Sequence, residues 1–139
     1  MELCAFLYFN GNCRDAIAYY ADVFGVEMPE IATYGDFPED PVAASKPNIS
    51  HYVAYAELDI KGNRLCFSDS FPETFIGTNI ALTIMSNDPA EIGMLYEKLK
   101  PGCDIIMELQ ETAWSQGFAM LTDKFDITWQ LNLCCMPVK

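Results

Sequence analysis

The stretch Phe6 to Gly25, FLYFNGNCRDAIAYYADVFG, decides the fold, because it reads in order as a strand, a tight turn and a helix. Ala16, Ile17, Tyr20, Val23 and Phe24 recur at steps of three and four, which puts them on one helical face. Gly25 supplies the stop. The plan recurs at Asn79 to Lys100, NIALTIMSNDPAEIGMLYEKLK: an apolar run, a turn, then a helix with Ile92, Leu95, Tyr96 and Leu99 as its stripe. There Asp88 is placed to cap the first turn, Pro89 sits where its missing N–H is harmless, and Pro101-Gly102 ends the helix.

Working outward, residues 3 to 9 read as the first strand and residues 27 to 35 as a second, with Pro29 making its start irregular. Asp36 to Asn48, DFPEDPVAASKPN, has three prolines and no hydrophobic period, so it reads as a long loop without a helix or strand of its own. Ser50 to Ser70 reads as a hairpin around Lys61-Gly62-Asn63. In its first arm Val53, Tyr55 and Glu57 alternate with Tyr52, Ala54, Ala56 and Leu58. After the second helix come strands at Asp104 to Leu109, Trp114 to Leu121 and Ile127 to Cys134, with Asp123 to Asp126 as the last turn. Strand, helix, three strands, twice over, predicts an α+β protein. Its two βαβββ units, about 1–71 and 78–136 of a single domain 1–139, form curved mixed sheets around a cleft.

The 139 residues suffice to bury roughly two thirds of the unfolded surface without staples. No apolar run approaches a membrane span and no signal-peptide pattern opens the chain, so the expected location is cytoplasmic. Eight basic against twenty acidic residues give a net charge of −12, which disfavours nucleic acid and anionic membrane as partners. Six cysteines show neither C-x-x-C pairs nor zinc-finger spacing and read as small buried hydrophobes. Adjacent Cys134 and Cys135 point to opposite faces of a strand, against a shared metal or disulfide.

Four segments, FNGNCRDAIAYYADVFG, the loop YGDFPEDP, AELDIKGNRLCFSDS and LQETAWSQGFAMLTDKFDITWQLN, together resemble the PhnB-like branch of the vicinal-oxygen-chelate superfamily of glyoxalases, bleomycin-resistance proteins and extradiol dioxygenases. The resemblance runs over nearly the full chain. It implies the glyoxalase/bleomycin-resistance fold, and a homodimer, since relatives of this fold pair their units across chains. Enzymes of the superfamily hold a divalent metal with His, Gln or Glu from the first and fourth strands of each unit. The positions matched here are Ala5, Cys66 or Ser68, Asn79 and Gln130, a set without imidazole or carboxylate and poor for such an ion. Tyr55 stands where the branch often has His, and the only histidine, His51, lies four residues upstream on the same face by alternation. Ser115, Ala119 and Asp126 replace glycines usual in the family, and Asp tolerates a left-handed turn.

The expected function is metal-free and cofactor-free binding of a small, partly aromatic or amphipathic molecule. Its cleft is lined by Tyr55, Ser68, Asn79, Trp114, Met120 and Gln130 and covered in part by the 36–48 loop, with Trp114 opening its strand. A metal-dependent lyase, isomerase or dioxygenase, and a dimeric module with no ligand, are the alternatives. No nucleophile with a partner base stands out, so no catalytic residue is assigned. Some members of the branch carry a ubiquinone-pathway methyltransferase label, yet no strand here runs into a glycine-rich turn fit for a nucleotide-like cofactor.

Overall fold

A computed structural model describes residues 1–45, 48–71 and 74–134. Cys135, and with it the expectation for the Cys134-Cys135 pair, lies outside the described residues. The chain divides into two compact units, Met1–Phe75 and Ile76–Lys139.

In the first unit β1 (Ala5–Phe9) leads through the Asn10-Gly11-Asn12 turn into α1 (Cys13–Phe24). The helix buries Cys13, Ala16, Ile17, Tyr20, Ala21 and Val23, and Gly25 closes it at φ +66° with its N–H on the carbonyls of Ala21 and Asp22. β2 is two residues long (Ala32–Thr33), followed by a single 3-10 turn, Tyr34–Asp36. The strand expected over residues 27 to 35 is therefore corrected to a fragment, in keeping with the missing N–H of Pro29. The 36–48 segment does carry a helix, α2 (Pro41–Ser45). Asp40 starts it, its carbonyl accepting from the Ala44 N–H at 2.8 Å, and Pro41 supplies a pre-set φ. One turn is too short to show a helical period in sequence.

β3 (Val53–Ile60) and β4 (Asn63–Asp69) form the hairpin. Its turn is Lys61-Gly62 alone, both at positive φ, as a tight hairpin requires. The sheet order is β1-β4-β3-β2, with β1 parallel to β4. Leu7, Phe9, Ala56, Leu58 and Phe67 turn inward with the helix residues. His51 lies in the turn before β3 rather than on the strand; its ring packs on Tyr52 with centroids 4.2 Å apart, and its carbonyl accepts from Arg14.

The second unit repeats the plan with β5 (Leu82–Ser86), α3 (Pro89–Leu99), β6 (Asp104–Gln110), β7 (Gly117–Thr122) and β8 (Thr128–Leu133), in the order β5-β8-β7-β6. Asp88 caps α3 by accepting from the Ala90 N–H, and Ile92, Leu95, Tyr96 and Leu99 are its buried stripe. They pack with Ala119, Leu121, Trp129 and Leu131, all buried. Asp126 takes φ +68° in the last turn. The α+β architecture of two four-stranded mixed sheets with βαβββ order is as the sequence predicts.

One buried carboxylate fastens each unit. Asp69 accepts from the N–H groups of Gly11 and Cys13 through Oδ1 and of Val53 through Oδ2, tying the β1–α1 turn to β3. Asp123 accepts from the Phe125 and Ile127 N–H groups and, at 2.8 Å, from Trp129 Nε1. Three hydrogen bonds offset the desolvation of each charge.

Candidate functional site

Each sheet has one face toward its helix and one face away, and strand alternation decides which residues lie on the latter. In the first unit the pairing of Phe6 with Cys66 and of Cys66 with Glu57 makes one transverse row, and Tyr8 beside Ser68 begins the next. In the second unit Thr83 pairs with Gln130 and Gln130 with Met120, while Met85, Asn132 and Phe118 form the adjoining row. Corresponding bonds register the units on each other: the Ser70 N–H donates to the Phe9 carbonyl, and the Cys134 N–H to that of Ser86. Gln130 is thus the counterpart of Cys66, Asn132 of Ser68, Thr83 of Phe6 and Met85 of Tyr8.

The first unit's away face satisfies itself. The Tyr55 hydroxyl donates to Glu57 Oε2 at 2.6 Å and lies 3.6 Å from Cys66 Sγ, while Phe6 stacks on Tyr8 and tilts against Tyr55. Arg64 bridges Glu57 and Glu2, each at 3.4 Å. The bond to the Glu57 carboxylate, then that to Cys66, pushes the Tyr55 hydroxyl well above its usual range, so it stays protonated. The buried Ser68 hydroxyl donates to the Asp69 carbonyl. Glu2, Leu3, Cys4, Glu57, Leu58, Asp59, Gly62 and Arg64 border a pocket of about 310 Å³.

On the second unit's away face Gln130 and Met120, both half-buried, are direct cross-strand neighbours. Thr83 Oγ1 donates to Gln130 Oε1 at 3.2 Å. Asn132 Oδ1 is shielded from water and has no hydrogen-bond partner. Met85 beside it is about half exposed. Trp114 lies in the loop ahead of β7 rather than opening that strand, and is largely exposed, its ring edge-on to Phe118 at 5.5 Å. Thr83, Met85 and Asn132 were not among the residues singled out from sequence. Asn132 could have been, being two residues beyond Gln130 on one strand.

A family model described as 3-demethylubiquinone-9 3-methyltransferase matches residues 1–132. The chain belongs to this PhnB-like family. Protein YjdN of Escherichia coli (strain K12) is 30% identical over 142 residues, spanning 96% of this chain and 95% of YjdN. Among solved structures, PA1353 of Pseudomonas aeruginosa superposes with a TM-score of 0.77 at 25% identity, covering 95% of this chain and 96% of that one. The PhnB protein of Bacillus cereus gives 0.74 at 25% identity, covering 96% and 100%. The glyoxalase/bleomycin-resistance fold of this PhnB-like chain follows from both the topology and these likenesses.

The internal register corrects one matched position. Asn79 is matched from sequence to a first-strand ligand position, but β5 begins only at Leu82, and Asn79 is exposed ahead of it. The counterpart of Ala5 is Leu82, and that of Asn79 is Glu2. Thr83 is what the sheet places beside Gln130. Among the described residues, no three His, Cys, Asp or Glu side chains gather where they could hold a metal ion. The away face of the second unit offers an amide pair, a hydroxyl and thioethers, which suit a hard or borderline divalent cation poorly. No described helix is long and apolar enough to cross a membrane.

Proposed function

We propose that this PhnB-like protein binds a small amphipathic molecule, with a hydrogen-bond donor on an apolar or aromatic body, over the Gln130 and Asn132 face of its second sheet, without a divalent metal. The observation that carries the reading is the lone Asn132 carbonyl oxygen. A shielded acceptor without a donor costs about 1–3 kcal/mol, so a turn of the Asn132 side chain that lets a ligand supply the missing hydrogen recovers that cost. Met85, Met120 and Phe118 in the same two rows provide adaptable apolar contact for the ligand's body. Gln130 adds a second amide, and Trp114 is placed by its contact with Phe118 to report on occupancy.

Methyl transfer, which the family description names, finds less support. The β1–α1 turn, Asn10-Gly11-Asn12, has one glycine and lacks the fingerprint that lets a backbone approach a nucleotide-like cofactor. The resemblance to relatives that pair their units across chains supports a homodimer as the working form, checked by light scattering, where a mass of one chain would remove it.

The deciding experiment titrates a panel of aromatic amides and amines into the protein while following Trp114 fluorescence, in wild type and in Asn132→Leu. Removing an unpartnered polar atom should raise stability by about 1 kcal/mol while weakening donor-bearing ligands by roughly tenfold. If every panel member binds Asn132→Leu as well as wild type, or none binds either, the assignment of this face fails. Elemental analysis of the purified protein is expected to find no stoichiometric divalent metal.

A further inference from the structure

The first unit carries a surface that the binding reading does not use. On the away face of its sheet three aromatic rings run together: Phe6 stacks on Tyr8 with centroids 4.8 Å apart, and Tyr55 tilts against Phe6 at 6.0 Å. They are not core residues, for Phe6, Tyr8 and Tyr55 are 39%, 51% and 40% exposed. The internal repeat shows that the fold does not require them. Phe6 and Tyr8 correspond to Thr83 and Met85, and Glu57, which pairs with Cys66 as Met120 pairs with Gln130, corresponds to Met120. The Tyr55 hydroxyl and the Arg64 guanidinium are engaged, but the ring surfaces and one carboxylate oxygen are not. One face of the Tyr8 ring lies on Phe6; among the described residues the other face meets neither a ring nor a cation, and the hydroxyl makes no hydrogen bond. Glu57 accepts from Tyr55 at 2.6 Å and from Arg64 at 3.4 Å, both on Oε2, so that Oε1 has no partner among the described residues.

From this arrangement we infer that the first sheet binds a small organic cation, an ammonium carried on a flat or apolar body. The body lies over Tyr8, Phe6 and Tyr55, and the ammonium meets Glu57 Oε1. Three observations converge. Aromatic faces are negative at their centres, so they attract both a flat apolar body and the partly positive CH groups beside an ammonium. Glu57 also stands on the border of the pocket of about 310 Å³, whose other charged walls are Glu2, Asp59 and Arg64. Three carboxylates against one guanidinium leave that border two charges negative, which draws in a cation and repels an anion. The net charge of −12 over the whole chain acts in the same sense at longer range. The 2.6 Å bond from the Tyr55 hydroxyl ties the carboxylate to the end of the aromatic run, so the apolar and the charged halves of the site are held together before a ligand arrives. The second sheet has no equivalent, since Thr83, Met85 and Met120 stand at the corresponding positions.

The test titrates the intact protein with phenethylammonium, phenethyl alcohol and phenylacetate, which share a ring and differ in charge, and follows the assigned aromatic signals by NMR. Wild type should bind the ammonium about fivefold more tightly than the alcohol and the carboxylate most weakly, with shifts at Phe6, Tyr8 and Tyr55. Glu57→Gln, whose amide oxygen still accepts from Tyr55, should bring the ammonium down to the level of the alcohol. Tyr8→Leu should weaken both by about threefold and keep the preference between them. Both replaced side chains are exposed, so the variants should fold. Should either fail to, as circular dichroism would show, the wild-type order of the three probes and the location of the shifts decide. Equal binding of ammonium and alcohol by wild type, no binding of any probe at millimolar concentration, or shifts confined to Trp114 and Phe118 would overturn the inference.

Discussion

Asp69 is one side chain on which three pieces of backbone converge, and its removal should be felt as a set. Asp69→Ala leaves the N–H groups of Gly11, Cys13 and Val53 without their acceptor. The expected loss, read from urea unfolding, is about 3–5 kcal/mol. A loss within a few tenths of wild type would show that water takes the carboxylate's place. Cys13, fully buried beside Asp69, gives a pH signature. Burial first, then the Asp69 charge, raises its thiol well above the ordinary 9.0. The folded state therefore keeps a proton that the unfolded chain gives up. The sign is that this contribution is complete below about pH 9 and lost as pH rises above it. Wild type should weaken more steeply than Cys13→Ala between about pH 8 and pH 11 in guanidinium titrations. Parallel slopes for the two proteins would contradict it.

At the scale of elements, the hairpin turn holds a correctable flaw. Lys61 sits at φ +52°, a region that asparagine tolerates better. Lys61→Asn should stabilise the protein by about 0.5 kcal/mol, visible as a higher melting temperature; a lower one would mean the lysine side chain contributes more than its backbone loses. Helices α1 and α3 were legible in sequence because their stripes are long enough to show a period and are closed by Gly25 and opened by Asp88. α2 and β2, of five and two residues, are too short to carry one. The Asn79 offset has another cause. A strand lasts only while its neighbour does, and β8 cannot begin before Thr128 because Asp123 draws the Phe125 and Ile127 N–H groups into a turn. Thr128 stands opposite Ala81 in this register, so residues ahead of Ala81 have no partner on β8, although Ile80 looks strand-like in sequence. Trp114 falls outside β7 likewise, since Gly117 pairs with Leu133, the last residue of β8. The away faces were half legible. Alternation finds Tyr55 and Gln130, but only the parallel register reveals Thr83 beside Gln130 and Phe6 beside Cys66.

For the whole molecule, twenty acidic against eight basic side chains make self-repulsion a general tax on the compact state. Sodium chloride on the order of 0.5 M should raise the melting temperature by screening it. A fall would show that attractive pairs such as Arg64 with Glu2 and Glu57 outweigh the repulsion. The parallel pairing of β1 with β4 also has a consequence in time. Ala5 meets Leu65, and Leu82 meets Trp129, so the first strand made in each unit is joined by nearly the last. During synthesis β1 must wait, edge unpaired, until some sixty residues more have emerged, and only then can its sheet close. Such long closures place refolding in the millisecond-to-second range rather than the microseconds of helical bundles. A nascent chain halted before β4 would hold a finished helix with no sheet to receive it, and that interval is when this protein most needs a chaperone.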